Sequence, residues 1–168
     1  MKHLYFVRHG QSQANVDRIF AGQFDTPLTA LGKEQAGHAA QQAKKLAIGH
    51  IISSPLSRAH DTAKIIAAAI GYPIENIELN SLLMERGFGS AVGLSWDTNI
   101  DGFIDVETMD SVAARAHLAY KHIQALPYDT ILVVGHGTFW QKFYMEIHPG
   151  KIVSDEDEPD NAEISKLV

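Results

Sequence analysis

Two short, uninterrupted apolar runs stand out along the chain, Leu4–Val7 and Ile131–Val134. Each has the length of a strand and lacks the alternation of a half-exposed one, so both predict strands buried on two faces. Both lead into similar corners: Arg8-His9-Gly10 follows the first, and Gly135-His136-Gly137 follows the second. The first strand is expected over residues 2–7, and polar, Gly-containing sequence after it reads as a loop through Pro27. From there the period changes. Thr29 reads as the N-cap of an Ala/Gln/Lys helix reaching about Ala47, and His50–Ser53 as a short strand. Pro55 and Ser57 open a helix whose apolar stripe is Ala59, Ala63, Ile66, Ala67 and Ile70, and Gly71 ends it.

Residues Ile77–Asn80 form a weak strand candidate, followed by irregular sequence to about Val106. A helix is expected over Met109–Leu126, with Val112, Ala116, Ala119, Tyr120 and Ile123 on one face. After a turn at Pro127–Asp129 comes the strand Thr130–Val134, then a helix from about Thr138 to Ile147. Its aromatic residues Phe139, Trp140, Phe143 and Tyr144 are read as core rather than as an interface. The acidic run Asp155–Asp160 is expected to be a solvated loop before a short last strand at Ala162–Val168. Strands alternating with helices imply an α/β fold, a three-layer sandwich with a mainly parallel sheet, in one domain over residues 1–168. In such sheets ligands bind at the carboxyl ends of the strands, where both His-Gly corners fall.

Charge and composition narrow the function. The formal charge of −6 argues against a general nucleic-acid binder. The last 18 residues hold six acids and two bases, so they carry most of that charge, and a positive pocket elsewhere remains compatible with it. The absence of cysteine excludes disulfides, thiol catalysis and cysteine-ligated zinc. No apolar run suggests a signal peptide or a membrane span, so a soluble, cytoplasmic protein without membrane partners is expected.

The chemistry starts at Arg8. An unpaired buried arginine is too costly for so short a strand, so Arg8 should face an anion or a cleft. Five ordered blocks then carry a resemblance: Leu4–Asn15, Asp25–Thr29, Ser53–Ala59, Leu83–Gly93 and Val133–Gly137. Together they resemble the histidine phosphatase superfamily, the phosphoglycerate-mutase-like group with its Arg-His-Gly signature. The resemblance implies that fold, a small phosphorylated substrate and no cofactor.

It also implies that His9 is a nucleophile forming a phosphohistidine, which divides one difficult displacement into two easier ones. Arg8 and Arg58 would clamp the phosphoryl oxygens, for which bidentate guanidinium groups are better suited than lysine. Arg58 falls in the first turn of its helix, where a cation is uncomfortable without an anionic partner. His136 would add a donor to the same oxygens, and as imidazolium would hold negative charge in the transition state. Gly137 is counted with it in phosphate binding. Asn15, Ala21 and Gly22 match phosphate contacts of relatives, although Asn15 fits a turn equally well.

Glu85 is the candidate general acid, following the apolar lead-in Leu82–Met84, with Gly89 and Gly93 at the family spacing. It must carry a proton before it can donate one, which burial or a nearby anionic phosphate would favour. Two departures lie where relatives shape the substrate pocket. Ala91 and Val92 replace an aromatic residue and an acid, and Val106-Glu107-Thr108 stands in place of Gly-Glu-Ser.

Nine histidines raise the question of a metal, but no pair shows ligand spacing with carboxylate partners, and His117 and His122 are five residues apart. No metal site is therefore expected. Between Arg86 and Arg115 there is no Lys or Arg, whereas Asp97, Asp101, Asp105, Glu107 and Asp110 are acidic. A mutase needs cations there to hold a multiply charged intermediate, so metal-independent phosphomonoester hydrolysis is the favoured expectation. A phosphoglycerate-mutase-type phosphotransferase is the alternative, with Arg18 as its available cation. A non-catalytic phospholigand-binding module is the third reading, and it leaves Glu85 without a purpose.

Overall fold

The computed structural model describes residues 2–168. Its five strands are β1 (His3–Arg8), β2 (His50–Ser53), β3 (Glu78–Leu79), β4 (Thr130–Gly135) and β5 (Ile164–Lys166). They form one sheet in the order β3-β2-β4-β1-β5. All neighbours are parallel except β5, which runs antiparallel to β1 at one edge. The two continuous apolar runs are its centre, β1 pairing with β4 from His3–Thr130 to Arg8–Gly135. That register is why Arg8-His9 and Gly135-His136 arrive side by side.

The helices are α1 (Gln13–Asp17), α2 (Ala30–Ala43), α3 (Ser57–Ile70), α4 (Met109–Ala125) and α5 (Gly137–Ile147). Successive strand side chains point to opposite faces, and the core divides accordingly. Leu4, Phe6, Ile131 and Val133 pack with Val112, Ala116, Phe139 and Phe143 of α4 and α5. Val7, Ile51, Leu132 and Val134 pack with Ala39, Ala40, Ala63 and Ile66 of α2 and α3. The result is a three-layer α/β sandwich. Phe139, Trp140 and Phe143 belong to the first core, as expected of them. Each fully buried side chain of this size contributes roughly 1.5–3 kcal/mol over its exposed state.

Thr29 caps α2 by accepting from Gly32 N–H at 3.0 Å, and Gly71 closes α3 in the left-handed region at φ 73°. The boundaries differ from expectation in three places. The stretch read as loop contains α1, whose five residues are too few to show an apolar period. It is held instead by Asn15 Oδ1, which accepts from Ser12 N–H at 2.9 Å. The second helix stops at Ala43, short of Ala47, whose φ of 48° turns the chain toward β2. The last strand is only three residues long.

Two glycines make a close approach that no sequence period reveals. A Cβ on Gly10 would lie 2.2 Å from Gly32 O, and one on Gly32 would lie 2.0 Å from Gln11 O. The start of α2 therefore presses directly on the chain leaving β1, with no side chain on either surface.

Candidate active site

The carboxyl ends of β1 and β4 open into a cleft of about 550 Å3. Its floor is His9, Arg8 and Arg58, and its roof includes Phe20 and Trp96. The roof is a small ladder in which Phe20 N–H donates to Leu94 O, and Gly93 N–H returns the bond to Phe20 O, both at 2.9 Å.

His9 is 4% exposed. Its Nδ1 lies 2.7 Å from Gly10 O, and a carbonyl can only accept, so Nδ1 carries the hydrogen. Nε2 consequently keeps a lone pair, which accepts from Arg58 Nε–H at 3.2 Å. Burial first, then the charges of Arg58 and Arg8, hold the imidazole well below the ordinary value of 6.5, against the pull of the Gly10 carbonyl. His9 is therefore neutral at neutral pH, with a defined tautomer. Asn161 Nδ2 donates to His9 O at 2.9 Å, and Gly10 N–H donates to Thr62 Oγ1 at 3.0 Å, fixing the corner.

Arg58 is 2% exposed, and all three of its guanidinium nitrogens are engaged. Besides His9 it donates through Nη1 to Phe24 O at 3.0 Å and through Nη2 to Gly22 O at 2.7 Å. Gly22, read from the sequence as a phosphate contact, thus presents its carbonyl to the clamp itself. Ala21 and Asn15 line the same cleft. Because Ser12 N–H can only donate, Asn15 has its oxygen turned to Ser12 and its NH2 left for a ligand.

His136 is fully buried, its ring centroid 5.2 Å from that of His9 and nearly edge-on to it. Its Nε2 meets Ser54 Oγ at 2.8 Å. That oxygen already accepts from Leu56 N–H at 3.3 Å, so its own hydrogen is free for His136. His136 Nδ1 is then a buried donor with no partner among the described residues. Burial, Arg58 and His9 hold His136 well below 6.5, which keeps the ring neutral at neutral pH. Arg8 Nε is another buried donor with no partner among the described residues.

Glu85 closes the arrangement. Its Oε1 accepts from Arg86 N–H at 2.8 Å and Phe139 N–H at 3.1 Å, and its Oε2 from Thr138 N–H at 3.3 Å. The carboxyl is thereby docked on the first turn of α5, with Oε2 the less engaged oxygen. Arg115 braces the loop from behind, donating to Leu82 O, Met84 O and Glu85 O at 2.8–3.3 Å. Arg115 is in turn paired with Glu107, which also accepts from Gly87 N–H. Glu107 therefore faces inward to Arg115 and adds nothing to an acidic substrate wall.

The sequence reading missed Glu158. The acidic run is not wholly solvated. The Glu158 side chain is 12% exposed and its Oε2 lies 3.2 Å from Arg8 Nη1. Gln141 Nε2 donates to both Glu158 Oε1 and Asp155 Oδ1 at 2.7 Å. A Cβ on Gly137 would lie 1.9 Å from Glu158 Oε2, so only glycine permits this carboxylate at the start of α5. Pro159 O takes a second bond from Arg8 Nη1 at 3.1 Å. Only the spacing of the acidic run was visible beforehand, and spacing alone does not say which acid turns inward.

These features can hold a phosphoryl group: a neutral imidazole lone pair, two guanidinium groups, a spare imidazole donor and a carboxyl on a helix end. Comparisons with known proteins bear on the family and the fold. The chain is 37% identical over 154 residues to a probable phosphoglycerate mutase GpmB of Escherichia coli O1:K1, covering 82% of this chain and 70% of that protein. Its fold matches a mycobacterial glucosyl-3-phosphoglycerate phosphatase solved with VO3, at TM-score 0.84 and 25% identity, over 99% of this chain and 92% of that one. A phosphoglycerate mutase from Bacillus anthracis shares the fold at TM-score 0.81 and 20% identity, over 98% and 86% of the two chains. The family model for the histidine phosphatase superfamily, branch 1, matches residues 4–168, and the chain belongs to that superfamily.

Proposed function

We propose that the protein is a phosphomonoesterase that hydrolyses a small phosphorylated metabolite through a phosphohistidine on His9. The observation that carries this reading is the His9 tautomer, Nδ1 bonded to Gly10 O and Nε2 bearing the lone pair between Arg8 and Arg58. In the first step Nε2 attacks phosphorus and the ester P–O bond breaks. The leaving alkoxide takes a proton from Glu85 Oε2. In the second, water attacks the phosphohistidine and gives its proton to Glu85 as the P–N bond breaks. Arg8, Arg58, the Asn15 amide and His136 Nδ1 hold the equatorial oxygens as charge spreads over them. Ala21, Gly22 and Gly137 shape the backbone around that group.

A mutase reading draws on the names of the sequence relatives. Hydrolysis is favoured by the charge of the cleft. Its cations are Arg8, Arg58 and Arg86, with no lysine. Arg86 is anchored through Nε to Glu107 O at 2.7 Å, and the three arginines are matched by Glu85, Asp155 and Glu158 in the same lining, which disfavours a second anionic group. The test is a panel of phosphomonoesters assayed in chelator-containing buffer, with vanadate as inhibitor. Turnover with inorganic phosphate release and a vanadate-sensitive, acid-labile phosphoenzyme is expected. Efficient exchange between phosphoglycerates with little phosphate release would move the assignment to a mutase.

A further inference from the structure

We propose that Glu158 is a specificity-determining residue that makes the cleft reject leaving groups bearing their own anion. The proposal rests on the phosphomonoesterase reading and adds the class of substrate. Three arginines line the cleft, and three carboxylates oppose them: Glu85, Asp155 and Glu158. The lining is thus balanced before a phosphate dianion enters. Arg58 and Arg86 donate to neutral groups and keep their charge, whereas Arg8 is the one of the three whose charge is ion-paired to a carboxylate among the described residues.

Glu158 decides where that charge acts. Its carboxylate and the Pro159 carbonyl take Nη1, while Nε on the opposite edge is buried and unpaired. A guanidinium bound at Nη1 still offers the Nε–Nη2 edge, which suits two phosphoryl oxygens. The phosphoryl group is therefore served, and a second anion approaching from the Nη1 side meets a carboxylate. Gln141 holds Glu158 and Asp155 together in that place, and the bare Cα of Gly137 lets Glu158 lie against α5. The lining also has an apolar part, with Phe20, Phe88, Trp96, Ile100 and Met109 on the same space. Neutral or cationic alcohols with an apolar face fit such walls, and carboxylated ones do not.

A matched pair of substrates isolates the effect. Glycerol 3-phosphate and 3-phosphoglycerate differ in a hydroxymethyl group against a carboxylate. The native protein is expected to favour glycerol 3-phosphate by at least about tenfold in kcat/KM, the size of one unfavourable charge contact at a partly screened site. Glu158→Gln and Glu158→Ala should each shrink that ratio about tenfold, mainly by lowering KM for 3-phosphoglycerate. Asp155→Asn, at an exposed position, should shrink it less. Rates on glycerol 3-phosphate and on an aryl phosphate report whether each variant is folded, since a merely structural loss slows all substrates alike. A native protein indifferent to the carboxylate, or variants with an unchanged ratio, would overturn the role of Glu158 while leaving the phosphatase reading intact. Failure of the native protein to release phosphate from any of the three substrates would overturn both.

Discussion

Two pairs of histidines in this molecule receive opposite treatment. His9 and His136 leave the carboxyl ends of β1 and β4 and are buried among arginines. His50 opens β2, and with His122 of α4 it converges on Glu78, at 2.9 and 2.5 Å. At the first pair, burial and cations repel the proton and keep both rings neutral. At the second, a carboxylate accepts from both rings. Burial raises Glu78, but the hydrogen bonds and charges of His50 and His122 outweigh it and hold the carboxyl below its ordinary value. The same residue type is held neutral or fastened to a carboxylate according to the sign of the charge beside it.

Exchanging the pairs gives the sharpest contrast. His9→Ala is expected to lower kcat/KM by about 10^4-fold or more, as loss of a nucleophile does. His50→Ala should leave it within about threefold, because that ring touches nothing in the cleft. Comparable losses from the two variants in a steady-state assay would break the comparison.

Glu85→Gln comes next. Its loss should be about 10^2–10^4-fold on alkyl phosphates, the usual range for general acid–base catalysis, and much smaller on aryl phosphates whose leaving group needs no proton. Equal losses on both would remove Glu85 from the role of acid.

The pH dependence separates the pairs more finely. Because His9 must be neutral to attack, the acid limb of kcat/KM should lie well below 6.5. Stability has two windows. His9 and His136 have lowered native values, so the unfolded chain binds more protons below 6.5, and stability is lost as pH falls from there toward those native values. Glu78 is also lowered, so its contribution is present above 4.5 and lost as pH falls through its native value. Calorimetry across this range should show His136→Gln flattening the upper window and Glu78→Gln the lower one. An acid limb centred at 6.5 would place His9 outside its arginine surroundings.

The smallest effect belongs to the second pair alone. Glu78→Gln at neutral pH should cost about 1 kcal/mol or less, since the carboxylate is partly exposed, and lower Tm by about 2–4 °C in a chain of this size.

The sheet centre was legible because it is locally encoded, and the five candidate site residues because they fall in blocks that resemble a family signature. Arg8, His9 and His136 follow continuous strand runs, and Arg58 sits in the first turn of a well-marked helix. Glu85 was legible from its apolar lead-in and glycine spacing, although its hold on α5 was not. Asn161, Thr62, Ser54, Gln141 and Glu158 were illegible for one reason. Asn161, Thr62 and Ser54 brace the two histidine corners and Gln141 and Glu158 line the cleft, and each meets its partner only once the sheet is assembled. The α1 helix escaped notice because a side-chain cap, not a hydrophobic stripe, makes it. The acidic run misled because five of its six residues are acids but only one is turned onto Arg8.

The bond from Arg58 Nε–H to His9 Nε2 has a consequence for selectivity among electrophiles. On the proposed reading, the lone pair that attacks is masked by the same guanidinium that grasps the phosphoryl group. An uncharged acylating or alkylating agent gives Arg58 no reason to let go. A phosphate dianion draws the guanidinium onto its own oxygens and bares the lone pair as it arrives, so the substrate carries the key to the residue that attacks it.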